Sequence, residues 1–598
     1  MAFLGSLSFS WMGLRMKRQM PTMKSFLAGT LFLAVLIHAG LSGSGFSSDI
    51  GDAGRDYVAA WKQFYPTAAF AAGDKASAFR FEDYSRPTID AWIAFQKNTL
   101  ERIKETERAQ ALDDRIDLRL LERQALWELE KWQIDQAAAA SLSTYSDLLA
   151  GSLVYVLMRS DLTAAEKQKA VTLRLAGIRR VCGEARAQLR NGRPESAQTS
   201  LRSLEASARF IEKTLPDLIR SWWSGSWEDL SLEAKNTAQS IGALSASFKA
   251  EIFPRLSLKD DLGHEAYARK LRIYSGLDLT PERLAEMALE EIGRVRTLIG
   301  AASGEYWKER YPADPFPAEF KILVDRTFAD MERDRVGNEQ DFLQIYKDLA
   351  RQAEDFVKAN EIATLPPKRT LLVSLSPEQF EGWGGVSAPG PFNADAETLF
   401  NLPHVSDQAP GEARDAFYRS FNNHFNTIIV PHELFPGHYV QLKWASASPR
   451  ILRALFSDEV FVEGWATLCE MIMLDAGWGG FHKLDRLAFL RKRLENATRA
   501  YVSVQMHCFG WTKEKIRDFA VDQGLLPPQF AIYLWPRTIN NPFQLVSYFL
   551  GSQILRDGLA GEKARLGERF RIRNFCDALL RSGGFPLAEL PSVLAQNR

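Results

Sequence analysis

Cysteine is scarce in this chain. Its 598 residues include four (Cys182, Cys469, Cys508, Cys576) and no CxxC pair. Neither a disulfide framework nor a CxxC-based site therefore organises the protein, and the four thiols read as small buried hydrophobes. Charge of one sign is also missing. Lys plus Arg and Asp plus Glu both number 74, for a formal net charge of zero. A wholesale nucleic-acid binder would carry a basic excess, so no nucleic acid is expected as a partner. Repeats and low-complexity tracts are absent. Histidine is rare enough, at eight, for each position to be weighed. What remains is ordinary globular composition, 46% hydrophobic and 25% charged, long enough for roughly four domains at about 150 residues each.

One long apolar run stands out, Phe26 to Leu41 (FLAGTLFLAVLIHAGL). Lys17, Arg18 and Lys24 precede it and Ser42-Gly43-Ser44-Gly45 follow, the layout of a secretory signal. It is short for a span of about 20 residues. No cysteine follows to carry a bacterial lipid anchor. Of Met16, Met20 and Met23, the last gives the most compact signal, so residues 1–22 read as an over-called start. The alternative is an uncleaved anchor, the one route by which a membrane enters. Either way the chain is expected to be exported, periplasmic or extracellular, with three parts: 1–45 leader, 46–260 helical, and 261–598 carrying the chemistry.

Apolar residues at three- and four-residue steps mark amphipathic helices over 88–135, 162–215 and 279–302. Thr280-Pro281-Glu282 is a helix start and Asn191-Gly192-Arg193-Pro194 a turn. After Leu365-Pro366-Pro367 the pattern changes. Arg369–Leu375 is β-compatible, and the Gly- and Pro-rich 382–403 stretch holds Trp383, Phe392 and Phe400, which argues that it packs. The fold class expected is mainly α: a large multi-helix body with a small sheet beside the helices that follow it.

Residues 431–441 read PHELFPGHYVQ. In an ordinary H-E-x-x-H zinc motif two histidines four apart share a helix face, and the Glu activates water. Here His438 follows His432 by six, which at ~100° per residue points the imidazoles about 120° apart on a regular helix. Pro436 breaks the helix ladder and Gly437 permits unusual dihedrals, so a kink there could return His438 to the face of His432. Pro431 suits a first helical position and places the helix start at the motif. The alternative is two unrelated surface histidines, as His264-Glu265 reads. A catalytic zinc needs a third ligand. Glu463, inside the apolar stretch VFVEGWA, is the candidate, with Glu470 seven residues on along the same face as its support. An ion pair of either with Arg453 or Arg537 is the competing use. His and Glu ligands suit Zn2+, with manganese or cobalt as the alternatives.

HELFPGH followed by VEGWATLCE resembles a bacterial family labelled domain of unknown function 885, whose members look like gluzincin-type zinc metallopeptidases. The likeness runs from about Gly263 to about Leu559 and extends more weakly over the helical N-terminal half. It implies His432, His438 and Glu463 as metal ligands and Glu433 as general base. It also points to His507, in QMHCFGWT, although Ser503 stands where the family often has Asp, and a satisfied core histidine is the alternative reading. In WPRTINNPFQLVSYFLGSQILR, Arg537, Tyr548 and Gly551 match family positions, while Pro542-Phe543 replaces the usual Pro-Gly. The resemblance implies a mainly α, metallopeptidase-like body enclosing a groove, with the small sheet near the active-site helix, and a zinc-dependent peptidase for short peptides. Arg537 would hold a substrate carboxylate, and His507 and Tyr548 would stabilise the oxyanion. A hydrolase of non-peptide amides or esters and a non-catalytic exported binding protein are the alternatives. Oligomeric state is not legible.

Overall fold

The computed structural model describes residues 50–106, 111–367, 370–376, 384–407 and 409–596. The leader, Arg369 and Trp383 lie outside them. The described chain is mainly helical. Helices Arg86–Thr106 and Leu112–Leu129 occupy the first amphipathic stretch, Ala164–Gln188 and Pro194–Arg209 the second, and Pro281–Arg310 the third. Local chemistry sets their starts. Thr163 and Glu166 form a reciprocal capping box. Thr280 Oγ1 accepts from the Arg283 N–H at 3.2 Å, with Pro281 in the first turn. Among the described residues no helix is long and apolar enough to cross a membrane.

The apolar interior forms two large clusters. One is built chiefly from residues 57–252, the other from 267 onward. They exchange members: Leu452, Leu455 and Phe456 join the first, Ile116 and Leu120 the second. A small open sheet follows the long helices. Strands β1 (Leu371–Leu375), β2 (Gly385–Ser387) and β3 (Thr398–Leu402) take the order β1-β3-β2, β1 parallel and β2 antiparallel to β3. Val386 and Phe400 on it are buried. The connection after β2 also packs: Lys443 Nζ donates to the carbonyls of Ala394 and Ala396, and Ser446 Oγ to that of Pro389. All four cysteines are free thiols; Cys182, Cys469 and Cys576 are buried and Cys508 partly so.

Six helices hold the side chains with chemistry to offer. They are labelled α1 (Asn423–Glu433), α2 (His438–Ala447), α3 (Glu459–Asp475), α4 (Lys483–Phe509), α5 (Pro528–Asn540) and α6 (Pro542–Leu566).

Candidate metal centre

Helix α1 ends at the PHELFPGH segment; it does not begin there, which corrects the expectation drawn from Pro431. Its start is Asn422, whose Oδ1 accepts from the Phe425 N–H at 3.0 Å. Pro431 sits in the last full turn. Its missing N–H would orphan the Thr427 carbonyl, but the indole Nε1 of buried Trp478 donates to that oxygen at 2.8 Å. A tertiary donor thus makes the proline tolerable inside the helix.

The bend at Pro436-Gly437 is a full break. Residues 434–437 leave the helix, the Phe435–Pro436 peptide is cis, and α2 opens on His438. Trp465 Nε1 donates to the Pro436 carbonyl at 3.1 Å. The loop returns tightly under the end of α1: a Cβ on Gly437 would lie 1.9 Å from the His432 carbonyl oxygen and 2.3 Å from that of Pro431. Only glycine fits. The result brings the two imidazoles together, ring centroids 4.8 Å apart and planes at 89°.

Helix α3 supplies the carboxylates. Asp458 caps it, accepting from the Phe461 N–H at 2.8 Å. Glu463 Oε2 lies 3.4 Å from His438 Nε2 and 3.8 Å from His432 Nε2. Glu470, fully buried, meets the far side of His432, Oε1 to Nδ1, at 2.7 Å. That bond fixes the tautomer and turns Nε2 toward Glu463, as carboxylates behind metal-binding histidines do. Neither glutamate pairs with Arg453, which is taken by Asp113 and Asp117. Helix α3 is held against α6 by glycine on glycine: a Cβ on Gly551 would be 1.9 Å from the Val460 carbonyl oxygen and 2.7 Å from Gly464 Cα. Glu463 is next to Gly464, and Tyr548 is one turn before Gly551, so this contact sets the two side by side.

The donor set tests well for a cation. His432, His438 and Glu463 place three ligand atoms within 4.8 Å of one another, all buried. Glu463 Oε2 is buried with no hydrogen-bond partner, an arrangement that costs about 1–3 kcal/mol or more unless something else satisfies it. Glu433 Oε2 is likewise buried without one. Burial pushes the Glu433 carboxyl above its ordinary range, and Glu470 up to about 8. Burial, with His438 beside it, holds His432 well below the usual imidazole value. For His438 burial works downward too, but the Glu463 carboxylate outweighs it and the value rises.

His432, Glu433, His438, Glu463 and Tyr548 all line one cavity of about 2670 Å³, whose lining also includes residues of the N-terminal half, among them Ile134, Leu142, Phe210 and Trp222. Glu459, one turn before Glu463, also lines it. Sequence reasoning passed over Glu459, although its i, i+4 spacing from Glu463 was the available signal. It also passed over Lys492 and Arg499, seven apart on α4, which stand over the Tyr548 ring at 5.7 and 5.6 Å. Arg537 on α5 joins this cationic side; burial and neighbouring Arg499 hold its guanidinium below the ordinary value. Burial first, then Glu463, raises the Tyr548 hydroxyl.

His507 does not join the group. It is buried, accepts the Leu262 N–H at Nδ1 (3.1 Å) and donates from Nε2 to the Thr538 carbonyl (2.9 Å). Both nitrogens are committed to backbone, so the expectation of an oxyanion role is corrected: it is a satisfied core histidine. Burial pushes it down to about 4. Ser503 donates to the Pro542 carbonyl at 3.0 Å and meets the Tyr267 hydroxyl at 3.0 Å.

Residues 66–594 match a family described as bacterial protein of unknown function (DUF885). No curated protein matches the chain. Among solved structures, a protein described as a lipoprotein of unknown function from Shewanella oneidensis superimposes with a TM-score of 0.75 at 20% identity, covering 92% of this chain and 100% of that one. A protein described as a lipoprotein from Colwellia psychrerythraea gives 0.72 at 15% identity, covering 92% and 99%. At these identities the likeness is one of fold.

Proposed function

The chain belongs to the DUF885 family of bacterial proteins, and from that premise and the geometry above we propose that it is a zinc-dependent hydrolase of the gluzincin type, acting on short peptides. The observation that carries the reading is the convergence of His432, His438 and Glu463, with the buried Glu433 carboxylate beside them. His432, His438 and Glu463 would hold the ion. When bound, zinc supplies a Lewis acid that polarises a carbonyl and acidifies water. Glu433 takes the water proton and passes it to the leaving amine, a task suited by its raised pKa. Tyr548, on the cavity wall, donates to the oxyanion that develops on the substrate. Glu470 holds His432 in one orientation. The cationic group of Arg537, Arg499 and Lys492 keeps positive potential behind Tyr548 and favours that charge.

The cavity is the substrate groove in this reading, and its lining by residues of both halves of the chain favours a short chain over a folded protein. A non-peptide amide or ester fits the same chemistry; side-by-side assay of peptide and small-amide libraries separates the two. The leader-like run before residue 45 supports export, and the lipoprotein descriptions of the two solved relatives agree with it. The decisive test is Glu433→Gln. Zinc content should stay at the wild-type level while hydrolysis falls about 10²–10⁴-fold. Full activity in that variant would remove Glu433 as the base, and a non-catalytic binding protein would show no activity to lose.

A further inference from the structure

At the other end of α1 a second group of ligand-type side chains meets. His424 lies in the first turn of α1, His482 precedes α4, and Asp485 lies in the first turn of α4. Their ligand atoms also fall within 4.8 Å of one another. The His424 and His482 ring centroids are 4.9 Å apart, matching the 4.8 Å between His432 and His438, with planes 22° from parallel. Asp485 Oδ1 is 2.6 Å from His424 Nδ1, and Asp334 Oδ2 approaches His424 Nε2 at 3.3 Å. We propose that His424, His482 and Asp485 form a second site, structural in role, for a divalent transition-metal ion of the zinc class, with Asp334 standing behind His424 on its other ring nitrogen.

Charge supports this. Asp485 is buried, at 4% exposure, and its ion-pair partner is an imidazole; among the described residues no lysine or arginine pairs with it or with Asp334. Two histidines with carboxylate oxygen is also a donor set zinc accepts. The residues come from two separate stretches of chain, so an ion there would clamp the start of α1, the helix that carries His432, to the start of α4. His482 is exposed, giving solvent a path in. His482 now caps α4, accepting the Leu484 N–H at 3.2 Å. Ligation through either nitrogen ends that cap, a cost of one long hydrogen bond at an exposed helix end. Imidazole is not among the usual capping groups, and a ligand role accounts for its presence.

The test is zinc titration of the full chelator-stripped chain by calorimetry, with elemental analysis after dialysis. His482→Asn keeps a side chain that caps helices but removes the imidazole. Wild type should bind two zinc ions per chain and His482→Asn one. Glu463→Gln, read in parallel, reports the other centre independently, so failure of the hydrolase reading leaves this result interpretable. If His482→Asn takes up as many ions as wild type, with unchanged affinity, the imidazoles only stack and hydrogen-bond, and the proposal is overturned.

Discussion

Replacing Gly437 by alanine tests the backbone break that joins the two histidines. The added Cβ would stand 1.9 Å from the His432 carbonyl oxygen and 2.3 Å from that of Pro431. Both obstacles are main chain, so no rotamer change relieves them. Restoring even a tight carbon–oxygen contact requires the loop to move by at least about 1 Å, and a displacement of that size typically costs ~10²-fold where reacting groups must register. Metal ligands tolerate only about 0.2 Å. The first residue of α2 is His438, which moves with the loop. We expect Gly437→Ala to weaken zinc binding about 100-fold, measured by competition with a chromophoric chelator, and to lower stability by about 1–3 kcal/mol from overpacking. Gly561→Ala is the control. A Cβ there meets nothing within 4 Å, on an exposed turn of α6, so alanine should be neutral or stabilising by up to ~1 kcal/mol. Wild-type zinc affinity and melting temperature in Gly437→Ala would refute the account of the bend.

Other outcomes rest on single contacts. Glu470→Ala frees His432 Nδ1 and should reduce metal affinity about 10–100-fold without unfolding the chain, by the same chelator competition. Trp478→Phe leaves the Thr427 carbonyl without its donor and should cost about 1–3 kcal/mol in chemical denaturation. Glu291, where Pro281–Arg310 meets α4 and α6, is bonded by Arg493 at 2.6 Å and Arg556 at 3.1 Å. Burial alone would raise its carboxyl, but the arginines outweigh it and hold it below the ordinary range. A depressed carboxyl stabilises above its unfolded value of about 4.3, and this share is lost as pH falls through the lower folded value. Glu291→Gln should cost about 3 kcal/mol at pH 7 by leaving buried arginines unpaired, with the difference from wild type closing in acid; an equal melting temperature at pH 7 counts against it.

Much of the fold and the site was legible in local sequence. Helix periodicity, the Thr280 start, the seven-residue step from Glu463 to Glu470 and the break at Pro436-Gly437 are near-neighbour signals, and the chain obeys them. What escaped depends on distant partners. Pro431 reads as a helix start because local rules cannot foresee the Trp478 indole that serves the Thr427 carbonyl. His507 sits at the flank of an apolar stripe in sequence, and only the fold shows that the Leu262 amide and the Thr538 carbonyl claim both its nitrogens. Lys492 and Arg499 carry a heptad spacing that looks like a solvated face until Tyr548 packs under it.

The Gly464–Gly551 contact has a mechanical meaning. With no side chains between them, α3 and α6 have no soft layer in which to slide, so the carboxylate of residue 463 and the phenol of residue 548 ride together as one stiff jaw. Any widening of the cavity to admit a larger guest then falls to the rest of its lining, which includes side chains from the first half of the chain.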